Sequence, residues 1–362
     1  MTTNQHSAHL RKWLLSSPPV EWGVDQLREL LIGSLKCGPI PEHVAFVMDG
    51  NRRWARQSKV ETIEGHNMGF EALARILEVC YKSGVRVVTV YAFSIENFKR
   101  SKYEVDALMD MAKTKLVQLS QHGELLDRYG ASVRILGDKS LVREDVQAQM
   151  DHAVDMTKHN HNAVLNVCFP YTGREEITHS VRETVRDFSK PPPRPQLKRP
   201  FSETHIQRNI ISRNLPDVEE EDSPKEISRA TSDADSVSTQ DLDISSHMDT
   251  ASSQTSTSTS PLFKAVTKKP ANLPDPENIT AETLTKNTYT YDAPPLDLLI
   301  RTSGVARLSD FMLWQVHETT EIKFLNILWP DFDLWHFLPV LVEWQWRQKK
   351  LAGEGKLGLK AA

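Results

Sequence analysis

The run Val44-Ala45-Phe46-Val47-Met48 constrains this chain more than any other stretch. Five consecutive apolar residues bounded by turn chemistry read as a strand buried on both faces, the signature of a parallel sheet. The run delivers Asp49-Gly50-Asn51-Arg52-Arg53-Trp54. Asp49 is thereby placed at a strand's carboxyl end, where open α/β sheets bind ligands. Gly50-Asn51 makes the turn, and Arg52 opens a helix whose free N–H groups favour an anion. An acid for a divalent metal, a helix N-terminus and paired arginines describe a diphosphate site. A capped helix with a solvated basic first turn fits the same local pattern equally well.

A second apolar run, 296–300, ends in Arg301-Thr302-Ser303-Gly304 and then Arg307-Leu308-Ser309. Arginines make forked, charge-assisted bonds to phosphate, and hydroxyls add neutral donors. After a buried strand this pattern favours a second anion site over an ordinary surface loop.

Between the two runs, helix and strand periodicities alternate. A helix is predicted over 70–82 (Phe70, Leu73, Leu77 and Tyr81 on one face), then a strand over 85–93. A helix over 102–119 carries Val105, Leu108, Met109, Ala112 and Leu116 at three-to-four spacing. Strands over 131–136 and 163–169 flank a helix over 142–158. Alternating units of this kind predict an α/β fold with a mostly parallel central sheet flanked by helices.

With 362 residues and 39% apolar content, the chain can bury a sizeable core. Residues 189–278 differ, being dominated by Ser, Thr, Pro and acids. Such a segment buries too little apolar surface to offset its ordering entropy and is expected to be a disordered insert. It reads as a tolerated surface insertion or a phosphorylatable tether. The expected organisation is an N-terminal segment (1–38), a catalytic domain in two parts (39–188 and 279–350) around the insert, and a tail (351–362).

A net charge of −4 gives no support to nucleic-acid binding, and Cys37, Cys80 and Cys168 have no paired spacing for zinc or redox work. No secretory signal and no apolar run of spanning length is evident. Residues 20–35 place Val24, Leu27, Leu31 and Leu35 on one stripe beside Trp22. They form either a helix docked on the domain or one lying on a bilayer surface.

The Asp49 segment, together with Gly65-His66-Asn67-Met68-Gly69-Phe70, Tyr91-Ala92-Phe93-Ser94-Ile95-Glu96-Asn97-Phe98, the Arg301–Ser309 pattern and Leu325-Asn326-Ile327-Leu328-Trp329-Pro330-Asp331-Phe332, resembles the cis-prenyltransferases. That is the undecaprenyl and dehydrodolichyl diphosphate synthase family, and the likeness is greatest to its eukaryotic catalytic subunits. It spans about 20–187 and 279–350. It implies condensation of isopentenyl diphosphate onto an allylic primer such as farnesyl diphosphate, giving long-chain polyprenyl diphosphate for dolichol and protein glycosylation. The helical stripes would then line a tunnel for the growing chain as well as pack the core.

The resemblance implies Mg²⁺ as cofactor, with Asp49 as ligand. A second acid ahead of the Leu328-Trp329-Pro330 motif is Glu321 counting backwards; counting forwards leaves the register open, with Glu318 the other candidate. Gly50, Arg52, Arg53, Trp54 and His66 match the primer's diphosphate site, and Arg301, Arg307 and Ser309 that of isopentenyl diphosphate. Asn51, Ser94 and Asn97 match residues near the reacting carbons. Thr62 stands where many relatives carry a basic residue, and Arg100 is a candidate to replace that charge.

The chain's end lacks the Arg-x-Gly of single-subunit relatives, Lys356-Leu357-Gly358 being the nearest approach. The expected partner is therefore a related non-catalytic subunit of the Nogo-B receptor type, with a homodimer as the alternative. Its contacts would fall around 324–337, a stretch that could equally be aromatic core. The expected location is peripheral, on the cytosolic face of the endoplasmic reticulum or on lipid droplets. Two rival readings are weaker. A non-catalytic same-fold subunit lacks the acid and arginines that are present here. A phosphatase wants an acid where Asn51 stands, and no P-loop motif exists for a kinase.

Overall fold

The computed structural model describes residues 18–120, 125–190, 273–317 and 319–358. Six parallel strands form one sheet in the order β3-β4-β2-β1-β5-β6. They are β1 (His43–Val47), β2 (Val87–Tyr91), β3 (Ala131–Leu136), β4 (Ala163–Cys168), β5 (Leu298–Arg301) and β6 (Glu321–Phe324). The helices are α1 (Pro18–Leu35), α2 (Asn51–Ser58), α3 (Thr62–Ser83), α4 (Lys102–Ser120), α5 (Leu125–Tyr129), α6 (Glu144–Thr157), α7 (Gly173–Phe188), α8 (Ala281–Thr285) and α9 (Leu334–Gly358).

β1 is central, with β2 on one side and β5 on the other. The chain leaves β1 in one direction and returns on its other flank, which makes a topological switch point at its carboxyl end. Burial explains why β1 has no polar alternation. Val44 and Phe46 pack with Ile76, Leu77, Trp329 and Phe337 on one face of the sheet. Ala45 and Val47 pack with Leu299, Phe311 and Met312 on the other.

The helices and strands expected from periodicity all form, with α3 beginning earlier, at Thr62. Short α5 and α8, the long α9, and β6 and α7 were not anticipated, and the last two show why. β6 is a four-residue edge strand, Glu-Ile-Lys-Phe, too short to carry a pattern. α7 buries Glu176, Ser180 and Thr184, four residues apart on one face. A helix whose buried stripe is polar gives hydropathy nothing to detect. Thr172 caps it, accepting from Glu175 N at 3.3 Å.

α1 docks by its carboxyl half only. Ile32 and Leu35 are buried, while Trp22 and Leu30 are each 67% exposed and Leu27, on the stripe read from the sequence, is 46% exposed. Gln345 Nε2 donates to Leu35 O at 2.7 Å and fixes the helix end against α9. The expected insert falls mostly on 191–272, outside the described residues. Its far boundary moves, because Pro276–Asn278 already forms a capped 3₁₀ turn. The expected tail also starts later, since α9 runs to Gly358. No helix among the described residues is long and apolar enough to cross a membrane.

Candidate active site

Asp49 follows β1 directly, and the next residue turns the chain with φ +116°. A side chain at Gly50 would be strained and would meet Leu328, whose Cδ2 lies 2.9 Å from the ideal Cβ position. Gly50 precedes α2, whose first turns carry Arg52, Arg53 and Arg56. The Asp49 carboxylate receives Arg301 Nη2 at 2.8 Å and the Ser303 hydroxyl at 2.8 Å, with Arg53 Nη2 at 3.5 Å. All three contacts fall on Oδ2. Burial pushes the carboxyl up, but the Ser303 bond, Arg301 and Arg53 outweigh it and hold the group below its ordinary value. Thr302 locks the backbone, accepting from Asp49 N at 3.1 Å and donating to Asp49 O at 2.8 Å.

Arg301 is buried (side chain 3% exposed), and its Nη1 donates to Arg307 O at 2.7 Å and Ser309 Oγ at 2.5 Å. It therefore joins Asp49 to the loop that follows β5. Arg307 is exposed and holds only Ser309 Oγ, at 3.2 Å through Nε, so most of its fork is open. The loop backbone is strained. Of five non-glycine residues with positive φ among the described residues, four are here: Ser303 (85°), Ser309 (52°), Asp310 (61°) and Met312 (47°). Each costs about 1–2 kcal/mol, and such strain concentrates at functional sites.

Across the cleft, Arg100 Nη1 donates to Glu104 at 2.9 Å, and Arg52 lies 4.0 Å from the same carboxylate. His66, half-buried beside them, has its pKa lowered to about 4 by burial, with Arg100 and Arg52 adding to the shift. Its Nε2 is buried without a partner, a neutral imidazole left with hydrogen-bonding capacity. Ser94 and Asn97 form a capping box on the 3₁₀ turn Ile95–Lys99, with Ser94 N donating to Asn97 Oδ1 at 3.0 Å. Asn51 Oδ1 is buried without a partner, and an added Cβ at Gly69 would lie 2.5 Å from it.

These groups surround the mouth of a cavity of about 1200 Å³. Its depth is apolar: Phe70 and Leu73 from α3, Leu108, Ala112 and Leu116 from α4, and Val90, Leu165 and Val167 from the sheet. The α4 stripe thus divides, with Leu108, Ala112 and Leu116 facing the cavity and Met109 buried in the core.

Gly50, Asn51, Arg52, Arg53, His66, Ser94, Asn97, Arg100, Arg301, Arg307 and Ser309 all line the cavity with Asp49. Trp54 does not; its indole donates to Asp331 at 2.8 Å. Thr62 also lines the cavity, with no charge to offer.

Glu321 needs a correction. It pairs in register with Leu298, and Leu298 with Val44. It is therefore level with the start of β1, five residues or about 16 Å along the sheet from Asp49. Its carboxylate meets Lys323 at 2.9 Å and Arg347 at 3.5 Å instead. Within one chain it does not join Asp49 at a metal. Glu318 lies outside the described residues.

No cluster of three or more His, Cys, Asp or Glu suited to a metal occurs among the described residues. One carboxylate beside an arginine-lined mouth still fits Mg²⁺, which commonly takes one or two carboxylates plus substrate phosphates and water. Among the described residues, Asp49 Oδ1 has no hydrogen bond or ion pair, all three of the carboxylate's falling on Oδ2.

Arg56 also lines the site and was missed, although its spacing from Arg52 and Arg53 puts all three on neighbouring positions of α2. Ser303 and Thr302 were visible as hydroxyls beside Arg301, but nothing local showed that they bind Asp49, more than 250 positions away.

A family model described as undecaprenyl diphosphate synthase matches residues 47–352. A dehydrodolichyl diphosphate synthase complex subunit of Schizosaccharomyces pombe is 42% identical over 337 residues, covering 93% of this chain and 97% of that protein. The corresponding Homo sapiens subunit is 35% identical, covering 86% and 69%. A tritrans,polycis-undecaprenyl-diphosphate synthase of Thermococcus kodakarensis is 32% identical, covering 90% and 92%. Lavandulyl diphosphate synthase from Lavandula x intermedia has the same fold, with TM-score 0.56 at 23% identity over 84% of this chain and 95% of that one.

Proposed function

This chain belongs to the undecaprenyl diphosphate synthase family of cis-prenyltransferases, and we propose that it uses the Asp49 cleft to extend an allylic diphosphate by successive isopentenyl units. It is a prenyltransferase of the polycis-prenyl diphosphate synthase type. One observation carries the site assignment: a carboxylate held ionised among arginines at the mouth of an apolar cavity. Diphosphate chemistry belongs at the charged mouth, and an isoprenoid chain belongs in the apolar depth.

Asp49 is proposed as the protein ligand of Mg²⁺, which when bound offsets charge developing on the leaving diphosphate. Arg52, Arg53, Arg56 and Arg100, with the helix start after Gly50, hold the primer's diphosphate, while Arg307 and Ser309 hold that of isopentenyl diphosphate. The allylic C–O bond breaks as diphosphate leaves. The terminal alkene carbon of isopentenyl diphosphate attacks the allylic carbon, leaving a tertiary cation on its neighbour, and loss of a proton from the methylene between that cation and the diphosphate-bearing carbon restores a double bond. Asn51, Ser94 and Asn97 stand near these carbons. Ser94 and Asn97 are already tied into a cap, which suits them to fixing geometry.

The Schizosaccharomyces pombe and Homo sapiens relatives are named as complex subunits, which supports a heteromer with a related non-catalytic partner. The surface for it differs from the expected 324–337 stretch as a whole. Trp329, Phe332 and Phe337 are core, whereas Phe324, Trp335, Val342 and Trp346 are 40–64% exposed. The three from α9 share one helical face, beside the open edge of β6. Exposed Trp22, Leu27 and Leu30 of α1 support peripheral attachment to the endoplasmic reticulum membrane.

The test is incorporation of labelled isopentenyl diphosphate onto farnesyl diphosphate, by the chain alone and co-expressed with a related subunit. Long-chain product with the partner, and little without it, is expected. Substrate binding with no product in either preparation would reduce the chain to a binding module.

A further inference from the structure

The strained loop carrying Arg307 and Ser309 is held on one side by Arg301, and further contacts come from α7. Asp310, with its side chain 14% exposed, receives Arg174 N on Oδ1 at 2.9 Å and Arg174 Nε on Oδ2 at 2.7 Å. Its backbone oxygen receives Gly173 N at 2.6 Å. Three donors from the first residues of one helix therefore converge on a residue at φ +61°. The approach is close, since a Cβ on Gly173 would lie 3.0 Å from Leu313 Cγ.

Neighbouring contacts serve the same purpose. Tyr91 OH donates to Ser309 O at 3.3 Å, and Met312 N donates to Tyr171 OH at 3.3 Å. Tyr171 is in turn bonded to the buried Glu176 of α7. Asp310 is the member of this set next to the phosphate-facing side chains, and its carboxylate is spent on α7 rather than on a ligand.

We propose that Asp310 is a positioning residue: by clamping the loop to the start of α7, it presents Arg307 and Ser309 to a diphosphate. The proposal rests on the reading of this loop as a diphosphate site and goes beyond it in naming what fixes the loop. Without the clamp, the positive-φ backbone relaxes towards ordinary conformations and Arg307 loses its orientation. Protein with an intact α7 and an intact cavity would then bind that one diphosphate poorly.

The experiment measures KM separately for isopentenyl diphosphate and the primer in Asp310→Ala, Asp310→Asn, Arg307→Ala and the Asp310→Ala/Arg307→Ala double variant, using the active enzyme with its partner if one is required. The expected result for Asp310→Ala is a KM raised by about tenfold or more for the substrate that Arg307 serves, the scale of one charge-assisted contact. The other KM and the melting temperature should change little. Asp310→Asn, which keeps an acceptor for Arg174 N, should recover part of the loss, and the double variant should be little worse than Arg307→Ala alone.

If Arg307→Ala selectively affects the primer, the ligand assignment fails, while an Asp310 effect on that same substrate still supports the clamp. Equal effects on both substrates, additivity in the double variant, or an unchanged KM in folded Asp310→Ala overturns it. Should Asp310→Ala fail to fold, Asp310→Asn with and without Arg307→Ala decides the question by the same additivity criterion.

Discussion

At the residue scale, Arg301 and Arg307 look alike in the sequence and differ in the structure. Arg307 is exposed, with most of its guanidinium free, so Arg307→Ala should raise KM for isopentenyl diphosphate by about 10- to 100-fold and spare the primer. Steady-state kinetics with each substrate varied in turn checks this; an equal rise in both values contradicts it. Arg301 is buried between Asp49 and the loop, so Arg301→Ala should lower kcat and disturb both substrates. Two histidines add a pH effect. His43 and His66 are both held neutral to about pH 4, chiefly by burial. Between about 6.5 and 4 the unfolded chain binds protons at these positions that the folded chain does not, so stability falls as pH falls. The slope reaches at most about 1.4 kcal/mol per pH unit for each histidine. Urea titrations from pH 7 to pH 5 measure it, and His66→Gln should flatten the curve; a slope unchanged by that substitution removes His66 as a cause.

At the scale of elements, β1 is where sequence and structure agree most closely, because both its faces are buried and its composition says so. Phe46 packs against Trp329, Phe332 and Phe337 at ring separations of 5.8, 6.3 and 5.7 Å. Phe46→Ala should cost about 3–5 kcal/mol, and a loss under 1 kcal/mol by denaturant unfolding would contradict the packing described. The cavity-lining Asp49, Arg52, Arg53, Arg301 and Arg307 were legible for a similar reason: all follow apolar runs whose ends point to a ligand crevice. What sequence did not disclose depends on contacts between distant segments. α7 hides a polar buried face, Arg174 and Asp310 are 136 positions apart, and Glu321 is separated from Asp49 only by strand register. On α9, Trp346→Glu should weaken the proposed heteromer without unfolding the chain, as read by co-purification and melting temperature. Undiminished association in the variant would move the interface elsewhere.

At the scale of the whole molecule, one sheet places a charged mouth at its carboxyl edge and an apolar cavity between the sheet, α3 and α4. That arrangement separates the ionic part of a prenyl diphosphate from its hydrocarbon part. The 191–272 segment supplies none of the residues named at the site. Replacing it with a short linker should preserve melting temperature and turnover, since loop length carries a small entropic cost; an unfolded or inactive product would contradict that expectation. The central claim is that Asp49 drives loss of diphosphate at the mouth of this cavity. Its most direct test is Mg²⁺-dependent incorporation of labelled isopentenyl diphosphate by Asp49→Ala, co-expressed with the partner subunit and confirmed as folded by circular dichroism. The account predicts that incorporation is abolished while the fold and partner binding survive. Substantial Mg²⁺-dependent synthesis by the folded variant would contradict it.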